Sequence, residues 1–310
     1  MKKVDRRHFI KTSLVTGAGV ALSFEERALL AHQSTPTAIN STLPKGEIGD
    51  LEISRIICGG NLTSGFAHSR DLLYVSNLLK HYFTDEKIYE TWRLCEENGV
   101  NTAILRVDNH VVRLINQYWH TEGGQLQWIA QCKLPGKDWK ADILRAIDNG
   151  CDAAYLHGGV ADSCVEQGNL DDLVRGVDLI RANGILAGIA GHSLSVPKAI
   201  KQEGIPVDFY MKTVNAKNYW SAGPTPRHDS VWAETPEEII EFMRNVETPW
   251  IGYKVLGAGA IPPKEGFRYA FKNGADFLCV GMFDFQVQED ISIACGILEG
   301  ELTRSRPWCG

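Results

Sequence analysis

Side chains able to bind or move charge recur along this chain, each just after a short apolar run: Arg106, Lys133, His157, His192, Lys212 and Lys254. A lysine in such a setting must pair its charge or give up its proton. Paired, ammonium and guanidinium groups hold an anion; deprotonated, an amine attacks a carbonyl and forms a Schiff base. Histidine adds a group that transfers protons near neutrality. Lys133 and His157 are the candidates for polarising a carbonyl oxygen, Lys254 and Lys212 for amine chemistry, and Asp108 joins the catalytic set. Asn61, Arg106, His192, Lys212, Asn215 and Trp220 are the expected substrate contacts, and Asp284 and Gln286 follow the last apolar run. By residue type His157, His192 and Asp108 suit a divalent metal, but no HxH or HExxH spacing supports one, so no metal site is expected.

Glycines supply a second kind of site. The segment Lys254-Val-Leu-Gly257-Ala-Gly259-Ala-Ile261 follows one apolar run, and Gly281 ends the next. Glycine lets backbone N–H groups approach a ligand closely, so Gly257, Gly259 and Gly281 are expected to cradle a phosphate-type anion.

The elements that must position these residues alternate strictly. Apolar runs read as strands at Ile53–Cys58, Thr102–Arg106, Gln127–Lys133, Ala153–His157, Leu186–Ala190, Asp208–Val214, Trp250–Leu256 and Phe277–Val280. Between them helical periodicity covers Glu86–Asn98, His110–His120, Lys140–Asp148, Leu170–Ala182, Val196–Gln202, Pro236–Val246 and Lys264–Lys272, with a last helix at Val287–Leu298. Glycines at Gly99, Gly150, Gly184, Gly204 and Gly274 stand where helix ends prefer them. The alternation predicts an α/β fold, a single (β/α)8 barrel, over residues 44–310. In such a barrel the strand-end residues converge on one face. Two long strand-to-helix connections, Asn61–Asp85 and Asn215–Thr235, lie on that face and read as lids or substrate walls.

The first 43 residues read differently. Lys2-Lys3, then Asp5-Arg6-Arg7-His8-Phe9-Ile10-Lys11, precede a mild apolar run from Ser13 to Leu22. That order is an export signal, and the paired arginines resemble the twin-arginine type. Such signals are handled by the Tat machinery and carry folded proteins outward, so a periplasmic location is expected. A net charge of −6 gives no reason to expect nucleic acid as a partner, and no apolar stretch is long enough for stable membrane insertion. The eight cysteines include no CxxC pair and fall mostly in core positions, as small apolar fillers.

The segment from Gly46 to Asn61, with its Ile56-Ile57-Cys58-Gly59-Gly60-Asn61, resembles the opening of an aldo/keto reductase: a small hairpin leading into the first strand. Glu96–Asn101, Cys132-Lys133, Ala154-Tyr155-Leu156-His157, Val280-Gly281-Met282 and Gln286–Asp290 continue the likeness, which spans Gly46 to Ile291. It implies NADP(H) as cofactor and a tetrad of Asp, Tyr, Lys and His. Lys133 and His157 match two of those places; the Asp place falls near Ile104 and the Tyr place near Asp108–His110, where no tyrosine occurs. Three readings follow. One is an aldo/keto-reductase-like enzyme acting on a small carbonyl or sugar-like substrate. Another is a lyase or isomerase in which His192 moves a proton or a lysine forms an adduct. The third is a carbohydrate-binding barrel without turnover.

Overall fold

In the computed structural model the described residues are 42–66, 74–216 and 235–310. A two-stranded hairpin, β1 (Lys45–Ile48) and β2 (Leu51–Ser54), precedes eight parallel strands that close into a barrel. These are β3 (Ile56–Gly59), β4 (Thr102–Arg106), β5 (Gln127–Cys132), β6 (Ala153–Leu156), β7 (Leu186–Gly191), β8 (Phe209–Thr213), β9 (Trp250–Tyr253) and β10 (Phe277–Val280), which pairs back to β3. Strands alternate with helices, so the expected (β/α)8 barrel is the fold. Its helices are α1 (Tyr74–Tyr82), α2 (Asp85–Glu97), α3 (Asn109–His120), α4 (Ala141–Asp148), α5 (Gly158–Glu166), α6 (Leu170–Ala182), α7 (Ser195–Gln202), α8 (Pro236–Arg244), α9 (Pro263–Lys272) and α10 (Asp284–Glu299).

Three local differences from the sequence reading have physical causes. The run expected as one strand, Ile53–Cys58, divides at Arg55. There Ser54 Oγ donates to Ile56 O (2.7 Å), and the guanidinium turns away to Asp276 O (3.1 Å) and Gly310 O (2.7 Å). The first long connection is not all loop, because α1 occupies its second half. Helix α5 starts directly after β6, where Gly158-Gly159 carries no helical propensity. His157 supplies the cap instead: its Nδ1 accepts from Gly159 N–H at 3.1 Å, satisfying a donor that the first turn leaves free.

Strand register decides which side chains face inward. Ile57, Ile104, Ile129, Ala153, Tyr155, Ala190, Phe209, Met211, Ile251 and Phe277 fill the barrel interior, together with Ile48 and Ile53 of the hairpin, which plugs its N-terminal mouth. Their alternates, such as Cys58, Ala103, Leu105, Trp128, Leu156, Ile189, Tyr210 and Trp250, pack under the helices. Side chains along a strand point alternately to its two faces. The interior set therefore continues upward into Arg106, Gln131, His192, Thr213 and Tyr253, with Lys133, His157 and Asn215 following in the same alternation.

Candidate active site

His157 and His192 sit at the ends of adjacent strands, and Tyr253 comes in from β9. The two imidazoles are held in opposite protonation patterns. Because His157 Nδ1 accepts the Gly159 N–H, the neutral ring carries its proton on Nε2. Burial first, then the charges of Lys133, His192, Lys254 and Arg106, push His157 down to about 4. His192 Nδ1 lies 2.6 Å from Asp162 Oδ2, so the proton sits on Nδ1 and Nε2 keeps its lone pair. Burial lowers the basicity of His192 while the Asp162 bond opposes it, and the net direction is downward.

Asp162 is itself held by three backbone and ring donors. His192 N–H (3.0 Å), Ser193 N–H (3.0 Å) and the His192 ring all reach its carboxylate. Burial would raise this carboxyl, but those bonds keep it below the usual carboxylate range. The contact needs close approach at Gly158. A Cβ there would stand 3.0 Å from both the Tyr253 hydroxyl and His192 Cε1, tighter than side chains normally allow.

The remaining expected residues fall into three groups. Some join the rim. Lys133 is exposed beside the site, with its backbone N–H held by Asp142 at 2.9 Å. Arg106 faces inward, pairs with Asp108 at 3.0 Å and lies 4.0 Å from the Phe66 ring centre. Asp108 also caps α3 by accepting from Val111 N–H; burial works against that carboxylate, but these bonds hold it lower than usual. Lys254 adopts a left-handed φ of 60°, costly for a residue with a side chain, and Asn215 Nδ2 secures the turn by donating to Lys254 O at 3.1 Å. Asn61 lies exposed at the start of the first loop, its carbonyl accepting from Phe66 N–H at 2.8 Å.

Others turn away from the rim. Lys212, expected as a substrate contact and as an amine nucleophile, shares its face of β8 with Tyr210 and Val214, under the helices. Its Nζ donates to His192 O (2.6 Å) and Thr213 Oγ1 (2.7 Å). This lysine supports the backbone that carries His192. Asp284 binds Tyr82 Oη (2.5 Å) and Lys87 Nζ (3.1 Å), and Gln286 caps the start of α10. Trp220 lies outside the described residues, as do His68, Arg70 and the charged and aromatic positions of the second long loop.

The glycine cradle does not form as expected. Gly257 N–H donates to Lys254 O (3.1 Å) and Gly259 N–H to Leu256 O (3.0 Å), so the donors expected to face an anion close a tight turn. Gly281 packs toward Leu62, whose Cγ would stand 3.2 Å from any Cβ placed there, while the close approach of β10 to β3 falls at Gly59, where a Cβ would stand 3.0 Å from Gly281 N. Gly257 and Gly259 therefore do not fit the phosphate of an NADP(H) cofactor. Among the described residues no group of three His, Cys, Asp or Glu side chains is placed to share a metal ion.

Sequence reasoning missed Asp162 and Tyr253. Asp162 sits on a helix that the sequence does not announce, and its partner comes from the next strand. Tyr253 precedes Lys254 directly, and an aromatic at the end of an apolar run reads as core. Its hydroxyl, sealed from solvent, has no hydrogen-bond partner among the described residues.

Residues 3–23 match the family of the TAT (twin-arginine translocation) pathway signal sequence, which indicates export by that route. No described helix is long and apolar enough to cross a membrane. Two solved structures from Pseudomonas aeruginosa, both provisionally described as aldo-keto reductases, share the fold. One is 14% identical with a TM-score of 0.62, covering 86% of this chain and 100% of that one. The other is 15% identical with a TM-score of 0.58, covering 84% of this chain and 98% of that one. No curated protein matches the chain. Fold and signal together define an exported (β/α)8-barrel protein, whose structural neighbours include aldo-keto-reductase-like barrels.

Proposed function

We propose that this protein is a proton-transfer enzyme of the isomerase or lyase kind, acting on a small α-hydroxy carbonyl or sugar-like compound. The observation that carries this reading is the opposed protonation of His157 and His192. A base and a neutral hydrogen-bond donor side by side are what removal of a proton next to a carbonyl requires. His192 Nε2 takes the proton from the carbon beside the carbonyl. The C–H electron pair becomes the C=C bond of an enediolate, and the carbonyl π pair moves onto oxygen. His157 Nε2–H donates to that oxygen while the Lys133 ammonium balances its charge. Return of the proton from His192 to the former carbonyl carbon gives an isomer, the substrate's own hydroxyl proton passing to the first oxygen as the second becomes the new carbonyl; loss of a β-substituent with its electron pair gives an elimination product.

Proton NMR in D2O tests the reading on a panel of small α-hydroxy ketones and aldoses. The wild type should exchange α-protons for deuterium, and His192→Gln should slow exchange ~100-fold or more. Consumption of NADPH by the wild type without α-exchange would instead favour a carbonyl reductase, the reading supported by Lys133 and His157 ending adjacent strands.

A further inference from the structure

We infer that the Tyr253 hydroxyl is a third hydrogen-bond donor of this site, directed at the oxygen of a planar, enediolate-like ligand held between His157 and His192. The inference rests on the proton-transfer reading and adds to it the shape and charge of the group that is bound most tightly.

Several phenols among the described residues are provided for. Tyr155 Oη accepts from Gln131 Nε2 at 2.8 Å, Tyr118 donates to Glu96, and Tyr82 donates to Asp284. Tyr253 shares the lack of a hydroxyl partner with Tyr89 on α2 but differs from it in place. It ends β9 with its side chain in the barrel interior, beside the rim, and its ring centre lies 5.5 Å from that of His192. The hydroxyl has no partner among the described residues, although it is shut off from solvent. Leaving a buried O–H unpaired is costly, and the inward alternatives to tyrosine, such as phenylalanine, avoid that cost.

Geometry gives the direction. The hydroxyl and His192 Cε1 each stand 3.0 Å from the point where a Gly158 Cβ would be. Gly158 in turn follows His157, whose Nε2–H points away from its capping bond to Gly159. The phenol oxygen therefore lies beside the His192 ring, against the backbone of the residue that follows His157. Burial keeps it a neutral donor, and the nearby Asp162 carboxylate acts in the same sense. A neutral donor strengthens its bond most toward an oxygen that gains negative charge, so the ligand it selects is a planar oxyanion rather than the ground-state carbonyl. Asp162, already saturated by donors, is not its partner.

Calorimetry with acetohydroxamate, a planar mimic of an enediolate, reads this without turnover. The wild type is expected to bind it, and Tyr253→Phe to bind it roughly 10-fold more weakly, as loss of one hydrogen bond to a charged oxygen implies. The Phe variant should melt at the same temperature as the wild type or higher, since it removes an unpaired buried hydroxyl. Equal binding by wild type and variant overturns the role of Tyr253 and leaves the proton-transfer reading in place. A marked fall in melting temperature also overturns it, because the hydroxyl would then be serving the fold. No binding by the wild type overturns both. His192→Gln provides the second comparison: loss of α-proton exchange with acetohydroxamate binding retained separates the base from the oxygen-binding group.

Discussion

The two ends of the barrel treat buried charge in opposite ways. At the N-terminal end, Asp276 is fully buried and meets every donor it can accommodate. Arg304 (3.1 Å) and Arg306 pair with its two oxygens, Trp250 N–H (2.9 Å) and Cys309 N–H (3.0 Å) add backbone bonds, and Arg55 binds its carbonyl. Trp308 then stacks beneath Arg304, its ring centre 3.3 Å away, so the C-terminal segment is fastened across the barrel floor. The open cavity there, about 610 Å³, is bordered by Lys45, Glu52 and Asp208, but Lys45 pairs with Glu52 and Asp208 with Arg181, each at 2.6 Å. At the C-terminal end, by contrast, His157 is kept neutral among cations and the Tyr253 hydroxyl meets no partner among the described residues. A buried carboxylate paired this fully fixes a fold, even with Arg306 Nε left without a partner among the described residues, whereas polar groups left short of partners at a strand-end rim point to chemistry. The hollow on the floor is thus the less informative one for chemistry.

Breaking the floor should have the largest effect. Asp276→Asn leaves two buried guanidinium groups without their counter-charge, which typically costs about 3–5 kcal/mol. Chemical denaturation should show that loss, while protein that remains folded keeps full acetohydroxamate binding. A stable variant with impaired binding would reverse the roles assigned to the two ends.

The complementary change at the rim is Asp162→Asn. An amide still accepts from the backbone but no longer orients and charges the His192 imidazole. Exchange of α-protons should fall ~100-fold or more, the range expected when a general base is lost. The midpoint of unfolding should move little by comparison with Asp276→Asn.

A third contrast concerns pH. His157 has a folded pKa of about 4, below its unfolded value near 6.5. The unfolded chain therefore takes up the proton first, and stability that is present above pH 6.5 is lost as pH falls toward 4. Buried Asp290 on α10, pushed up by burial to about 7, works with the other sign. Its stability contribution is complete below pH 3.8 and is lost as pH rises through 7. Asp290→Asn should accordingly stabilise the protein at pH 8, by ~4 kcal/mol if the whole effect is realised, and have no such benefit at pH 4. Denaturant titrations at both pH values measure this, and an equal shift at the two would contradict a neutral buried carboxyl.

The smallest expected effect is on the rate profile. Since His157 stays neutral down to about 4, α-proton exchange should not lose this donor between pH 8 and pH 5. An inflection near 6.5 that disappears in His157→Gln would show the ring to be freely protonated, and hence not the donor assigned here.

Much of this molecule is written in local sequence. Alternating apolar runs and helical periodicity specify a barrel because each segment has only one way to bury its apolar face. The strand ends, and with them Arg106, Lys133, His157 and His192, follow from that alternation, as does the export signal from the order of Arg6, Arg7 and the apolar run behind them. What those side chains do was decided in three dimensions. Lys212 and His192 look alike as polar residues closing apolar runs, yet register turns one under the helices and the other into the barrel. The glycines of Gly257–Gly259 suggest a cradle, but a turn takes up their N–H groups. The proton on His157 is placed by Gly159, two residues on in the chain, and that on His192 by Asp162, a residue 30 positions earlier. Spacing along a chain encodes how a segment folds on itself; the partner that sets a proton's position arrives from another segment, and only closure of the barrel brings it there.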